Sequence, residues 1–309
     1  MNKVIVIVGP TAVGKTKLSI DIAKYLQTEI ISGDSMQVYE GMDIGTGKAT
    51  EAEMANIPHY MLDIKQPDEE FSVAEFKSHV EEHIASINDK GMIPIVVGGS
   101  GLYIQAVLYD YQFSDRKRDE TITKRLEAEL AEIGNEQLHE RLEKIDPDQA
   151  AKIHPNNFRR VIRALEVYES TGKTLTELQS EQTNEAQYEH LIIGLEMERA
   201  LLYEQINLRV DGMVEAGLVR EVQKLYDAGY EDTQAMKAIG YKEIIPYIKG
   251  EISLEAAVDT LKRNSRRYAK RQYTWFKNQL DVNWFNLTTS NYETQKQQIF
   301  ELIKKRFSN

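Results

Sequence analysis

The stretch "VIVIVGPTAVGKT", residues 4–16, constrains this chain more than any other. A short apolar run of β-branched residues reads as a buried strand, and the residues from Lys15 onward read as a helix. Between them, Gly9, Pro10, Thr11, Ala12, Val13, Gly14, Lys15 and Thr16 match the pattern G-x-x-x-x-G-K-[ST] in full. The chemistry of that pattern is direct. Glycines let backbone N–H groups turn toward anionic oxygens, and the helix N-terminus adds partial positive charge. Lys15 adds a point charge, and the Thr16 hydroxyl suits Mg²⁺. The motif says that a phosphorylated molecule binds here. It does not say which one, because a diphosphate leaving group fits as well as ATP.

A strand of this kind needs parallel neighbours. "EIISGD" (29–34), "MIPIVVGG" (92–99) and "HLIIGLEM" (190–197) read as further strands, with helices predicted over 15–26 and 72–88. The alternation predicts an α/β fold with a parallel sheet and right-handed crossovers. With 309 residues, 41% of them hydrophobic, the chain can bury a substantial core. It has no cysteine, which excludes thiol catalysis and a disulfide scaffold and fits a reducing, cytoplasmic setting. The apolar run Val4 to Val8 is too short for a membrane span, and the chain is expected to have no membrane partner. The six histidines show no metal spacing, so zinc is not expected.

The pattern changes after about residue 114. Residues 119–150 hold ten acids against four Lys or Arg at helical spacing, and "FRRVIRALEVYES" (158–170) reads as another helix. The simplest organisation is a core of residues 1–114 plus 190–309, interrupted by an all-helical insertion over 115–189. Residues 198–280 read as helical throughout. The acids of 119–150 are read as a solvated helical face.

Two segments end strands at the edge where open α/β sheets bind ligands. In "SGDSMQVYEGMDIGTGK" (32–48), Asp34 is expected in the same crevice as Lys15. A carboxylate beside phosphate needs a cation or a proton donor between them, so Asp34 reads as a metal ligand or a general base. The bland alternative is a cap on the following turn, Ser35 to Gln37. In "VVGGSGLY" (96–103), Gly98, Gly99 and Gly101 permit close backbone approach to a ligand and Ser100 supplies a hydroxyl, or the segment is a plain strand-to-helix turn.

The chain carries a formal charge of −11, yet "KRNSRRYAKRQYTWFK" (262–277) holds seven Lys or Arg and no acid. On a helix, Leu254, Ala257, Val258, Leu261, Tyr268 and Trp275 fall on one face and Arg263, Arg266, Arg267, Lys270 and Arg271 on the other. A stripe of five cations without acids to pair with points to a polyanion or to several phosphates. Further clusters are Arg159, Arg160 and Arg163, and Arg116, Lys117 and Arg118. Together they suggest a basic channel on an acidic protein. Arg209 could reach phosphate or pair with Asp211 or Glu215, and Lys237 and Lys242 flank a Gly-Tyr turn.

Taken in order, "GPTAVGKT", "SGDSMQVYEGMDIGTGK", "GGSGLY", "RRVIRALEVY", "GLVREV", "AIGYKEI" and "KRNSRRYAKRQYTWF" resemble the bacterial tRNA dimethylallyltransferases over about residues 3–286. The resemblance implies a P-loop nucleotide-kinase-like core whose helical insertion grips the tRNA anticodon stem-loop. It implies transfer of a dimethylallyl group from dimethylallyl diphosphate to N6 of adenosine 37, by a protein read as a monomer. Asp34 would be the general base, in a catalytic set with Ser100 and Arg209. The 9–16 loop with Lys15, Thr16 and Arg209 would hold the diphosphate, neutralised by Mg²⁺. Ser35, Met36, Gln37, Ser100, Arg159, Arg160, Arg163, Lys237, Lys242 and the 263–271 stripe would contact tRNA beside Asp34. Ser100 stands where relatives often carry Thr, and "GTGKA" replaces a commoner Gly-Thr-Ala-Lys-Pro. The rival readings are an AMP prenyltransferase, a nucleotide kinase and a non-catalytic RNA-binding switch.

Overall fold

The apolar run that opens the chain becomes an interior strand of a parallel sheet. The computed structural model describes residues 1–109, 119–181 and 185–307, in two units, Met1–Leu108 with Ala186–Asn309, and Tyr109–Glu185. The first unit begins β1 (Lys3–Val8), α1 (Lys15–Leu26), β2 (Ile30–Ser32), α2 (Glu51–Met54), β3 (His59–Tyr60), α3 (Val73–Asp89), β4 (Ile95–Val97) and α4 (Gly101–Leu108). The second unit contains α5 (Glu120–Ile145), α6 (Pro147–Ala150), α7 (Phe158–Thr171) and α8 (Leu175–Ser180). The first unit resumes with β5 (Glu189–Glu196), α9 (Arg199–Ala216), α10 (Leu218–Asp227), α11 (Ile245–Ile248), α12 (Leu254–Gln279), β6 (Asn283–Asn286) and α13 (Tyr292–Phe307). Among the described residues no helix is long and apolar enough to cross a membrane.

The sheet runs β3-β2-β4-β1-β5-β6 and every described strand pairing is parallel, as the α/β reading predicted. Val6 of β1 stands opposite Val96 on one side and Ile192 on the other. Strands covered on both faces need continuous apolar sequence, which β1 and β5 supply. Ile5, Ile7, Leu18, Ile22, Ile193 and Leu195 form the core between strands and helices, closed by Ile299 and Ile303 of α13. Because β1, β2 and β4 are neighbours and parallel, the loops that leave their C-terminal ends emerge on one edge.

Several expectations need adjustment. Strands β2 and β4 are shorter than the stretches 29–34 and 92–99 read as strands, three residues each. Strands β3 and β6 have no apolar run to betray them: one has two residues, and the other begins and ends in exposed Asn. Residues 198–280 are not helical throughout. Between α10 and α11 the chain turns repeatedly, with one 3₁₀ turn at Ala235–Lys237.

Helix α12 buries the expected face in part: Ala257 and Leu261 are buried, and the packed stripe continues through residues the hydrophobic ranking left out. Its buried positions are Ala257, Leu261, Ser265, Ala269, Gln272 and Phe276, spaced i, i+4 apart from one i+3 step between Ala269 and Gln272, while Tyr268 and Trp275 are only half-buried. Ranking by hydrophobicity fails here because the packed stripe includes small and polar residues, one of which has a bonding task described below.

The second unit has its own core, including Leu126, Leu138, Leu142, Val161 and Leu165. Helix α5 is broken at Gly134, whose φ of 82° lies outside the helical range. Its acids are not all solvated: Arg141 donates to Glu129 at 2.5 Å and to Glu169 at 2.6 Å.

Candidate functional site

The loop between β1 and α1 is shaped by local constraint. Gly9, at φ +144°, presses against the Leu195 carbonyl of β5 so closely that a Cβ there would lie 2.6 Å from the oxygen. Ala12 and Gly14 adopt left-handed conformations at φ 66° and 101°. A non-glycine residue in that region is strained by roughly 1–2 kcal/mol, which the surrounding loop holds in place. Helix α1 has no side-chain N-cap, so the first-turn amides of Lys15, Thr16 and Lys17 lack intrahelical partners and face the cleft.

Lys15 donates to the carbonyls of Gly9 at 2.9 Å and Pro10 at 2.8 Å. Its ammonium is pushed down to about 7, chiefly by burial and then by the Arg209 guanidinium, with Asp34 acting in the opposite direction. Arg209, on α9, is open to water on its cleft side, but the protein around it also holds it below the ordinary arginine value, chiefly through desolvation. The guanidinium lies over Gly47, whose missing Cβ leaves it room. Lys15, Thr16, Asp34 and Arg209 all line one cleft of about 1610 Å³. The alternative pairing of Arg209 with Asp211 does not form; Asp211 bonds Lys262 at 2.6 Å instead.

Asp34 forms the turn cap and also faces the cleft. Its Oδ1 accepts from the Met36 N–H at 2.8 Å, which is a turn cap. Its carboxyl also lines the cleft and is raised above the usual carboxylate range by burial. The Met36 amide, Lys15, the Gln37 amide and Arg209 oppose that rise. A group whose protonation is balanced in this way is suited to accept a proton.

Ser35 and Ser100 meet across the cleft, their hydroxyls 3.4 Å apart. The Tyr268 hydroxyl also engages Ser100, and burial followed by the nearby Asp34 charge pushes that phenol up to about 12. Gln37 is used within the protein: its carbonyl oxygen accepts from Ser32, and its amide donates to the carbonyls of Thr46 and Gly47 at 3.3 Å. It therefore shapes the turn beneath Arg209 rather than presenting a free amide to a partner. Met36, Lys237 and Lys242 line the cleft.

The glycines after β4 have packing roles, and Gly98 and Gly99 also line the cleft. Gly98 backs onto the Gly33 backbone, Gly99 makes room for the Gln272 amide, and Gly101 makes room for the Trp275 ring. The basic stripe of α12 is not uniform. Arg266 is half-buried and donates to Asn207 at 2.6 Å, and Arg263 donates to Thr260 at 3.2 Å. Arg267, Lys270 and Arg271 line a shallow groove of about 530 Å³ with Thr274, Trp275, Asn278 and Gln279, and Arg271 also reaches the main cleft. In the second unit Arg159 and Arg160 are exposed, whereas Arg163 pairs with the buried Glu166. Arg116, Lys117 and Arg118 lie outside the described residues.

Three contributors escaped the sequence reading. Gln272 accepts from the Thr11 N–H at 2.9 Å and donates to the Gly99 carbonyl at 3.0 Å. Glu221 accepts from the successive amides of Asp43, Ile44 and Gly45 at 2.8–3.0 Å and from the Tyr241 hydroxyl at 2.6 Å. Tyr268 was placed with the packing face. Only Gln272 carried a signal, as a polar residue in register with Leu261, Ser265 and Ala269.

The fold and cleft define a class: an α/β protein with a P-loop-like core that sets the 9–16 loop and an arginine against a half-buried carboxylate. The family model described as IPP transferase matches residues 37–279, and the chain belongs to that family. It is 57% identical over 287 residues to the tRNA dimethylallyltransferase of Bacillus cytotoxicus, covering 93% of this chain and 91% of that protein. The tRNA dimethylallyltransferase of Oceanobacillus iheyensis is also 57% identical, over 93% of this chain and 92% of its own length. Among solved structures, the tRNA isopentenylpyrophosphate transferase of Bacillus halodurans matches with a TM-score of 0.76 and 50% identity, covering 99% of this chain and 97% of that one. A eukaryotic dimethylallyltransferase acting on tRNA matches with a TM-score of 0.85 and 33% identity, over 99% of this chain and 79% of that one.

Proposed function

We propose that this protein transfers a dimethylallyl group from dimethylallyl diphosphate to tRNA, at N6 of adenosine 37, and releases diphosphate. The observation that carries the reading is the convergence of Lys15, Thr16 and Arg209 with Asp34 in one cleft. The names of the relatives supply the substrate class. The 9–16 loop, Lys15 and Arg209 hold the diphosphate. N6 forms a bond to the allylic carbon as the carbon–oxygen bond breaks and the diphosphate leaves with the electron pair. Charge grows on the leaving oxygens, where Lys15, Arg209 and the first-turn amides of α1 oppose it. The N6 proton becomes acidic as nitrogen bonds to carbon, and Asp34 accepts it.

The donor set fits Mg²⁺, which prefers hard oxygen ligands and keeps several waters. Thr16 offers a hydroxyl in the cleft, and no group of three or more His, Cys, Asp or Glu suited to a metal occurs among the described residues. Thr16 would hold the ion together with diphosphate oxygens. Bound there, it would offset the charge of the leaving group.

The target base must leave its stack to reach Asp34, at a cost of a few kcal/mol, roughly, which backbone contacts offset. Ser35, Met36, Ser100, Lys237, Lys242, Arg263, Arg266, Arg267, Lys270 and Arg271 are assigned to tRNA in this reading, with Gln37 supporting the cleft from behind. The helical unit, through Arg159, Arg160 and Arg163, is assigned to the anticodon arm. The test uses purified protein, Mg²⁺ and labelled dimethylallyl diphosphate, with unmodified tRNA or AMP as acceptor in separate reactions. Label on tRNA alone is expected. Label on AMP alone would keep the chemistry and overturn the acceptor, and label on neither would overturn both.

A further inference from the structure

Helix α12 faces two ways. On one side, Arg267, Lys270 and Arg271 border an open basic groove. On the other, Gln272 is buried, 6% exposed, and its two amide atoms are bonded to two different loops. Its oxygen accepts from the Thr11 N–H and its nitrogen donates to the Gly99 carbonyl. Pro10 has no N–H, so after Gly9 the Thr11 amide is the first donor that the phosphate loop possesses. Gln272 holds that donor and so fixes how the rest of the loop is presented. Gly99 has no side chain where the Gln272 amide sits, so the link is fitted closely on that side as well. One turn earlier, Tyr268 engages Ser100, and one turn later Trp275 packs against Gly101. Inner-face contacts along this part of the helix thus grip the loops that leave β1 and β4.

We infer that Gln272 is a positioning residue that couples RNA occupancy of the basic face of α12 to diphosphate affinity of the 9–16 loop. This rests on the functional reading above, in which that face meets RNA and that loop holds diphosphate. A buried amide with both partners satisfied leaves little slack, because losing either bond strands a polar group. Any shift of α12 on docking a polyanion therefore reaches the entry of the phosphate loop. By linkage the effect is reciprocal: RNA changes diphosphate affinity by the same factor that diphosphate changes RNA affinity.

The experiment titrates the full-length protein with inorganic pyrophosphate by calorimetry, without RNA and with saturating anticodon stem-loop RNA carrying an unmodified adenosine 37. For the unaltered protein the two dissociation constants should differ by about five-fold or more. For Gln272→Leu, which keeps bulk but removes both bonds, the ratio should fall to near unity while each ligand still binds alone. Gly99→Ala breaks the same link from the other side with Gln272 intact and should give the same collapse, so it decides the matter if Gln272→Leu does not fold. A ratio unchanged in the folded variant, or a ratio of one in the unaltered protein when both ligands bind, overturns the inference and leaves the functional reading standing. Failure of the unaltered protein to bind pyrophosphate or RNA at all would overturn both.

Discussion

In the proposed function Lys15 and Arg267 are both cations offered to phosphate, and the protein treats them in opposite ways. Lys15 is withdrawn into a cleft, folded onto the carbonyls of its own loop, and depressed to about 7. Arg267 stands exposed on the rim of an open groove. The first arrangement stores a desolvation cost that a bound anion relieves, so its attraction is strong and local. The second keeps its hydration, and its attraction is long-ranged and screened by salt. A site for chemistry and a surface for a polyanion can therefore be told apart by how far each charge has been taken out of water.

The sharpest test of the buried side is Asp34→Asn. It should lower turnover by about 10²–10⁴-fold, the usual worth of a general base, while RNA binding by the α12 face is retained. Single-turnover transfer measured beside RNA affinity separates the two. Loss of both together would break the comparison, because the cleft and the surface would then be one device.

Glu221→Gln should come next. The carboxylate satisfies three backbone amides and the Tyr241 hydroxyl, and an amide would turn N–H groups toward those donors. The expected cost is about 1–3 kcal/mol of unfolding free energy, read by denaturant titration. A weaker diphosphate site should accompany it, because the 43–47 segment ends in the glycine beneath Arg209.

The depressed Lys15 predicts a pH signature. Near neutrality the free amine is partly deprotonated, and a neighbouring diphosphate must raise its pKa. Binding therefore takes up a proton above about 7, and affinity should fall as pH rises, by up to about ten-fold per unit. Below that point Lys15 is already charged and contributes no slope. The slope should disappear in Lys15→Met when dissociation constants are measured across the neutral range.

The smallest effect is expected on the exposed side. Arg267→Ala with Lys270→Ala should weaken RNA binding modestly and make the plot of log K against log salt shallower by about 1–2. Diphosphate affinity without RNA should not change. A salt slope equal to that of the unaltered protein would show that these two cations do not meet phosphates.

Adjacent residues were legible and distant ones were not. The phosphate loop is contiguous, so its strand, glycines, lysine and helix start could be read together, and Asp34 could be placed because strand ends in a parallel sheet share an edge. The residues around Arg209 left it between phosphate and its helical neighbours, and only the family resemblance assigned it to the diphosphate. The seat of Arg209 over Gly47 depends on a segment more than 150 residues earlier in the chain. Glu221 gave no signal, because nothing local announces three amides waiting in another loop.

What the sequence determined by itself was the parallel sheet and the place of the 9–16 loop at its edge, since both follow from periodicity and from one short motif. Only the tertiary structure decided which cations lose their water, which glycines yield to Gln272 and Trp275, and which polar residues of α12 turn inward. The reason is physical. Desolvation and a buried hydrogen bond are properties of a neighbourhood, and the neighbours of Lys15 and Gln272 are brought together by the fold rather than by their order in the chain.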